Sequence, residues 1–247
     1  MKNLILSLIL ILPLSFLQAQ NNQFARANEA YASKDFERAI ALYEELVAGE
    51  KHSAALYYNL ANAHYQQGAL APAILNYERA LHLKPGDEET LHNLKLAQQK
   101  LVDRFEELPP NLFKAFRLGV LRAFSPSNWA ILSIVFLALA SLGLVLYFHS
   151  SMRRLGFSSA LIGLILGVFS GWMAFQHQSY LDQHPGLIIM SESAYVKSGP
   201  GEEAEDLFIL HAGTKVEQVE VYEAWTKIRL IDGKIGWLPE SNLEAIF

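Results

Sequence analysis

Two stretches of the chain, Trp129 to Phe148 and Leu155 to Phe175, carry no charged residue, and only His149 to Arg154 separate them. A helix rises ~1.5 Å per residue, so each stretch is long enough to cross the ~30 Å hydrocarbon core of a bilayer. Hydrophobicity on every side of a helix, twice in succession, has no use in a small soluble core. The pattern predicts a hairpin embedded in a lipid bilayer: transmembrane helices over 126–148 and 155–176 joined by a cytoplasmic loop at 149–154. Two crossings return the chain to its starting side. The soluble segments before and after the hairpin must then share one compartment.

The first residues point to which compartment. Lys2 gives a positive start, Leu4 to Leu17 an apolar run broken by Pro13, and Leu17-Gln18-Ala19 a small-residue exit. That three-part plan predicts a secretory signal peptide over 1–19 and export of the chain from residue 20 onward. Arg153 and Arg154 in the loop agree with a cytoplasmic turn. Lys114, Arg117 and Arg122 before the first span outnumber them and by themselves favour the opposite orientation of that helix. The export signal acts first. The expected topology is a two-pass protein of the cytoplasmic membrane with both soluble parts in the periplasm.

Composition removes several functions. Zero cysteines exclude disulfides, thiol catalysis and cysteine-bound metals. The formal net charge is −5, and the chain from Gly186 onward holds eleven acidic and five basic residues, which argues against nucleic acid as a partner. His177, Asp182 and His184 form the one tempting catalytic or metal-binding cluster, but they fall in an expected linker at 177–185 with nothing to support them. No catalytic residue, metal site or cofactor is assigned. The chain reads as a non-enzyme.

The exported N-terminal part repeats itself. Shifted by 34 residues, Ala27-Asn28 falls on Ala61-Asn62, Tyr31 on Tyr65, Ala39-Ile40 on Ala73-Ile74, and Tyr43-Glu44 on Tyr77-Glu78. Alanines let paired helices approach, tyrosines fill the space beside them, and Pro85-Gly86 stops the second pair. Asp87 caps a third helix expected from Glu88 to about Glu107, with Leu91, Leu94, Leu101 and Phe105 on one stripe. The period and the placed small and aromatic residues resemble the tetratricopeptide (TPR) repeat, giving two repeats plus a capping helix over 20–107. The resemblance implies a peptide-holding concave surface formed by Phe24, Asn28, Tyr31, Tyr58, Asn62 and Tyr65. Packing between helices is the competing role for the tyrosines.

From Asn111 to Phe124 phenylalanines alternate with Lys114, Arg117 and Arg122 at helical spacing. Within the linker 108–125 this predicts either an interfacial helix on lipid headgroups or an extension of the first span. In the second span Ser159, Gly163, Gly167 and Gly171 recur every four residues, a stripe on which helices pack closely in lipid. It seats either the first span or a partner's helix.

From Gly186 the pattern changes to β-branched and aromatic runs with turns at Gly199-Pro200-Gly201 and Asp232-Gly233. Ala194 to Pro200, Leu210 to Thr214, Trp225 to Arg229 and Asp232 to Leu238 resemble the bacterial SH3-like (SH3b) domain, a small β-barrel, over 186–247. That resemblance implies binding of protein or cell-wall peptide, with Tyr195, Tyr222 and Trp225 as the candidate face and Trp237 as core. The fold class expected is multidomain, α then β: a TPR α-solenoid, a two-helix transmembrane hairpin and an SH3b-type β-barrel. The order of parts resembles the Bacteroides aerotolerance family. It implies a scaffold in an envelope complex with von Willebrand A-domain membrane proteins and a MoxR-type ATPase, linked to oxidative-stress tolerance. The alternative is a murein-binding receptor that recruits a wall hydrolase through its TPR groove.

Overall fold

The computed structural model describes residues 23–105, 112–121, 123–149, 151–183 and 185–247. The export signal expected at 1–19, the Pro109-Pro110 break, and the side chains of Lys114, Arg122, Asp182 and His184 lie outside the described residues.

Five helices form the N-terminal array: α1 over residues 23–32, α2 Phe36–Ala48, α3 Ala54–Gln66, α4 Leu70–Leu83 and α5 Glu88–Gln98. Their starts reflect local chemistry. Side chains of Asp35, Ser53 and Asp87 accept hydrogen bonds from the backbone N–H of Arg38, Leu56 and Thr90, satisfying donors that a helix start leaves free. Gly68, at φ +81°, ends α3 in the left-handed region that glycine adopts at least cost. Ala27, Ala39, Ala61 and Ala73 are wholly buried where helices cross, and Tyr43 and Tyr77 fill the gaps beside them.

Helix α5 is shorter than the stripe predicts, because residues beyond Gln98 are used elsewhere. Leu101 leaves the helix and meets Gly213, Phe105 packs on the C-terminal core, and Leu91 stays exposed. Leu101 and Phe105 keep the sequence spacing of the stripe, but the surface they cover belongs to the C-terminal part.

Helix α6 spans Leu112–Leu121 and leads to α7, Pro126–His149, and α8, Arg153–Gln183. Both α7 and α8 are long and apolar enough to cross a membrane. Their outward faces are apolar and uncovered, with Ile134, Val145, Val168 and Phe175 all exposed. A water-soluble core helix would hide such residues. The expected linker from residue 177 is corrected: α8 continues to Gln183 and leaves two residues before the first strand. His177 is therefore not solvated. It is 3 % exposed, and its Nδ1 lies 3.1 Å from the Phe124 carbonyl.

The C-terminal part is one antiparallel sheet of seven strands: β1 Gly186–Ile189, β2 Ser193–Lys197, β3 Asp206–His211, β4 Lys215–Tyr222, β5 Trp225–Arg229, β6 Ile235–Pro239 and β7 Leu243–Ala245. The order is β3-β2-β6-β5-β4-β1-β7. The expected barrel is thus an open sheet: β3 and β7 are its edges and no ladder among the described residues joins them. Strand β7 instead lies where the sheet meets α4. Inward residues Ile189, Val196, Leu210, Ile228 and Leu238 form the core.

Candidate functional site

Each repeat carries the same polar ladder. Tyr43 Oη donates to Asn28 Oδ1 at 2.7 Å, and Asn59 Nδ2 donates to that oxygen at 3.0 Å. One repeat later Tyr77 Oη donates to Asn62 Oδ1 at 2.5 Å, and Asn93 Nδ2 donates to it at 3.1 Å. The oxygens thereby tie α1 to α2 and α3, and α3 to α4 and α5. Burial raises the pKa of Tyr43 to about 12, so its hydroxyl stays a donor. The Nδ2 groups of Asn28 and Asn62 take no part in the ladder. They are repeated donors on the face built by α1, α3 and α5.

The other candidates on that face are half-buried, as are the two asparagines. Phe24 and Tyr31 pack on the first repeat's core, and Tyr58 and Tyr65 on the second's. Tyr58 Oη donates to Glu89 at 2.6 Å, and the Lys100 ammonium lies 4.2 Å from the Tyr65 ring centroid. The repeat pattern keeps Asn28 and Asn62 off the small-residue helix crossings, yet their oxygens are themselves contacts between helices. Asn59 and Asn93 complete the ladder without having been singled out by the pattern, although they too stand 34 residues apart.

Register brings a second group together on the C-terminal sheet. Tyr222 pairs with Trp225, Lys227 with Trp237, and Trp237 with Lys197, two residues beyond Tyr195 on β2. Cross-strand partners share a face, and so do residues two apart. Tyr195, Trp237, Trp225 and Tyr222 therefore share one face across four strands, opposite the core, with Trp237 between Lys197 and Lys227 and Trp225 between Pro239 and Tyr222. Tyr195 and Tyr222 are exposed. Trp237 is buried at 9 % exposure, as its sequence context suggests, although it lies on the face opposite Leu238, with the Lys227 ammonium 5.5 Å from its ring centroid. The Lys197 ammonium bonds Glu202 O, Ala204 O and Asp206 Oδ1, pinning the loop at one edge of that face.

Residues 24–88 match the family model of the tetratricopeptide repeat, and residues 192–244 match that of the bacterial SH3 domain. No curated protein matches the chain.

The SH3 domain packs on the α4 side of the TPR array. Ile188 and Ile246 are buried in one cluster with Ala71, Ile74 and Leu94. Arg79 reaches across: Nε donates to Ile246 O at 2.9 Å, and Nη2 to Glu244 Oε1 and Ala245 O, each at 3.0 Å. Lys215 meets Glu78 at 2.7 Å. Below them the carboxylate of Asp103, just past α5, accepts from the His211 N–H, the His211 ring and the Thr214 hydroxyl, each at 2.7 Å. Burial alone would raise the Asp103 pKa, but those bonds outweigh it and hold the group below the usual carboxylate range. An ionised carboxylate only accepts, so His211 Nδ1 carries the proton. Gly213 sits at φ +91°, and any side chain there would also strike Leu101.

The small-residue stripe faces α7. A Cβ at Gly163 would lie 2.8 Å from Phe136 O and 2.9 Å from Ala140 N, and one at Gly167 would strike Leu137. Ser133 Oγ donates to Gly167 O across the helices at 2.8 Å, and a Cβ at Gly171 would meet that same hydroxyl. Ser159 sits where a Cβ on Gly143 would come within 2.5 Å of its Oγ. Gly143 and Gly156, which no sequence spacing marks, complete the contact near the turn: a Cβ at Gly156 would strike Tyr147 N, and one at Gly143 would strike Ala160 N as well as the Ser159 hydroxyl. At the other end Trp129 Nε1 donates to Leu121 O at 3.2 Å, and Trp129, Leu121 and Met173 pack together. This cluster seats α6 against the hairpin.

Proposed function

We propose that the chain is a non-enzymatic, membrane-anchored adaptor that holds a peptide segment of a partner on the α1–α3–α5 face of its TPR array. The observation that carries this reading is the repeated pair of amide donors, Asn28 Nδ2 and Asn62 Nδ2, which have no acceptor among the described residues and are fixed in orientation by bonds to their oxygens. Rigid donors one repeat apart suit the carbonyls of an extended backbone. Phe24, Tyr31, Tyr58 and Tyr65 supply contact area beside them. The SH3 domain packs against α4, so the donor-bearing face and the aromatic face of Tyr195, Trp237, Trp225 and Tyr222 can each serve a partner.

In this reading α7 and α8 span the cytoplasmic membrane and both domains face the periplasm. The order of parts resembles that of BatE-like proteins of the Bacteroides aerotolerance family. The partners that this resemblance favours are von Willebrand A-domain membrane proteins working with a MoxR-type ATPase in an envelope complex tied to oxidative-stress tolerance. The bacterial SH3 match supports a second reading, in which the aromatic face binds murein peptide and the groove recruits a wall hydrolase.

The test keeps the ladder and removes the donors. Asn28→Asp with Asn62→Asp retains an oxygen for Tyr43, Asn59, Tyr77 and Asn93 but replaces each free N–H₂. Each neutral hydrogen bond contributes ~0.5–1.5 kcal/mol, so partner recovery from native membranes should fall about tenfold or more while the helical circular dichroism is unchanged. Undiminished recovery sinks the groove reading. Retention of the full-length protein on purified murein would favour the second reading.

A further inference from the structure

Helix α6 is a separate element and not the beginning of α7. Ser125 Oγ accepts the Asn128 N–H at 3.2 Å and caps a fresh start for α7 at Pro126. At the end of α6 the Leu121 carbonyl accepts from Trp129 Nε1, and the Leu121 side chain is buried against Trp129 and Met173. Those contacts fix the depth of α6. Met173 and Ala174, both in this cluster, stand at the end of the apolar run that closes at Phe175; Gln176, His177 and Gln178 follow. Trp129 and Tyr180, residue types that favour the boundary between hydrocarbon and headgroups, belong to the same cluster. The side of α6 turned away from the hairpin is apolar. At about 3.6 residues per turn Leu112, Ala115, Phe116 and Gly119 fall in one sector. All four are exposed, Leu112 at 90 % and Phe116 at 72 %. Arg117 is exposed outside that sector. With Lys114 and Arg122 it makes three basic residues in nine positions, and no acidic residue occurs from Leu108 to Leu181, in a chain of formal net charge −5.

We propose that α6 is a docking element for anionic phospholipid on the leaflet that faces the two soluble domains. The proposal rests on the reading of α7 and α8 as spans. A helix at this depth has acyl chains within reach of its uncovered apolar sector, continuous with those around α7. Basic residues beside the sector meet headgroup phosphates, and each one favours an anionic surface about fivefold. Charge elsewhere works against contact: the chain from Gly186 onward carries eleven acidic and five basic residues. Helix α6 is therefore the attractive patch between an acidic pair of domains and a negatively charged bilayer. Lipid binding also accounts for Lys114, Arg117 and Arg122 on the side of a span where the orientation rule disfavours basic residues. The surface is independent of Asn28 and Asn62.

The full-length protein, which has no native cysteine, takes a nitroxide at one introduced thiol and is reconstituted into vesicles. One set is phosphatidylcholine, the other equimolar phosphatidylcholine and phosphatidylglycerol. Collision with oxygen reports hydrocarbon, and collision with a water-soluble nickel chelate reports water. Labels at Ala115→Cys and Gly119→Cys, both in the exposed apolar sector, should favour oxygen with phosphatidylglycerol and shift toward nickel without it. Leu139→Cys, exposed midway along α7, should favour oxygen in both lipids, and Lys34→Cys in the array should favour nickel in both. Arg117→Gln should lower the ratio of embedded to detached α6 about fivefold, and Lys114→Gln with Arg117→Gln and Arg122→Gln should abolish the dependence on phosphatidylglycerol. Labels at 115 and 119 that favour nickel in both lipids would place α6 in water and overturn the proposal. Labels that favour oxygen regardless of lipid charge and of the triple substitution would make α6 an apolar anchor and refute its headgroup preference. A Leu139→Cys label that favours nickel would defeat the spans themselves, an outcome distinct from failure at α6 alone.

Discussion

Single side chains set the pH response of the seam between the domains. Burial is the first cause that lowers the pKa of His82, and the Lys215 ammonium adds to it; burial also lowers that of His64. Both rings are favoured uncharged in the folded protein, whereas an unfolded histidine binds a proton at about 6.5. The unfolded chain therefore takes up more protons as pH falls through that value, and stability must drop. Asp103 acts in the same direction at lower pH: its folded pKa is below the ordinary 3.8, so its contribution is present above that value and is lost as pH falls further. The melting temperature of the full-length protein should decline from pH 7 to pH 5, and His82→Leu should flatten that decline. A midpoint constant across this range would show that these histidines are not buried as described. None of this was legible in the sequence. His82, His211 and Asp103 have no spacing that distinguishes them from solvated residues, and the partners of Asp103 lie more than a hundred positions away.

Elements were the most legible scale, and their ends the least. The 34-residue period fixed both helix pairs because small and aromatic residues recur wherever helices cross. It could not show where α5 stops, since Leu101 and Phe105 keep helical spacing while packing on the SH3 domain. The glycine stripe was visible on α8 because its spacing is regular. Its counterpart on α7, with Ser133, Leu137, Ala140 and Gly143, mixes large and small residues and gave no comparable signal. The aromatic face was partly legible: alternation identified the strands, but only register placed the buried Trp237 between Lys197 and Lys227. At Gly163 the opposing atoms are backbone and cannot swing aside. Gly163→Leu should therefore force α7 and α8 apart and lower thermal stability in micelles by about 1–3 kcal/mol, the usual scale of overpacking. Gly119→Ala is the matched control, because nothing lies within 4 Å of a Cβ there. If both variants melt like the parent, close approach of the two helices is not needed.

At the scale of the whole molecule, two separately recognisable domains meet although the hairpin lies between them in sequence. Arg79 with the segment Glu244 to Ile246, Glu78 with Lys215, and Asp103 with His211 and Thr214 join residues on opposite sides of α7 and α8. If the hairpin spans a bilayer, these contacts require both domains on one side of it. That is an argument from packing, independent of the charge count that favoured an inverted first helix. It also explains the short link from Gln183 to Gly186, which holds the SH3 domain at the end of α8 where the array can reach it. The chain has no cysteine, so a single introduced thiol reports one position without background. With a membrane-impermeant thiol reagent on intact spheroplasts, Ser198→Cys should label, being exposed in the SH3 domain, as should a cysteine at exposed Lys34 in the array. Ser151→Cys, in the turn between α7 and α8, should react only after the membrane is permeabilised. Labelling of Ser151→Cys in intact spheroplasts with protection of the other two would reverse the orientation and leave the packing argument standing. Labelling of Ser198→Cys with protection of Lys34→Cys would separate the domains and defeat that argument itself.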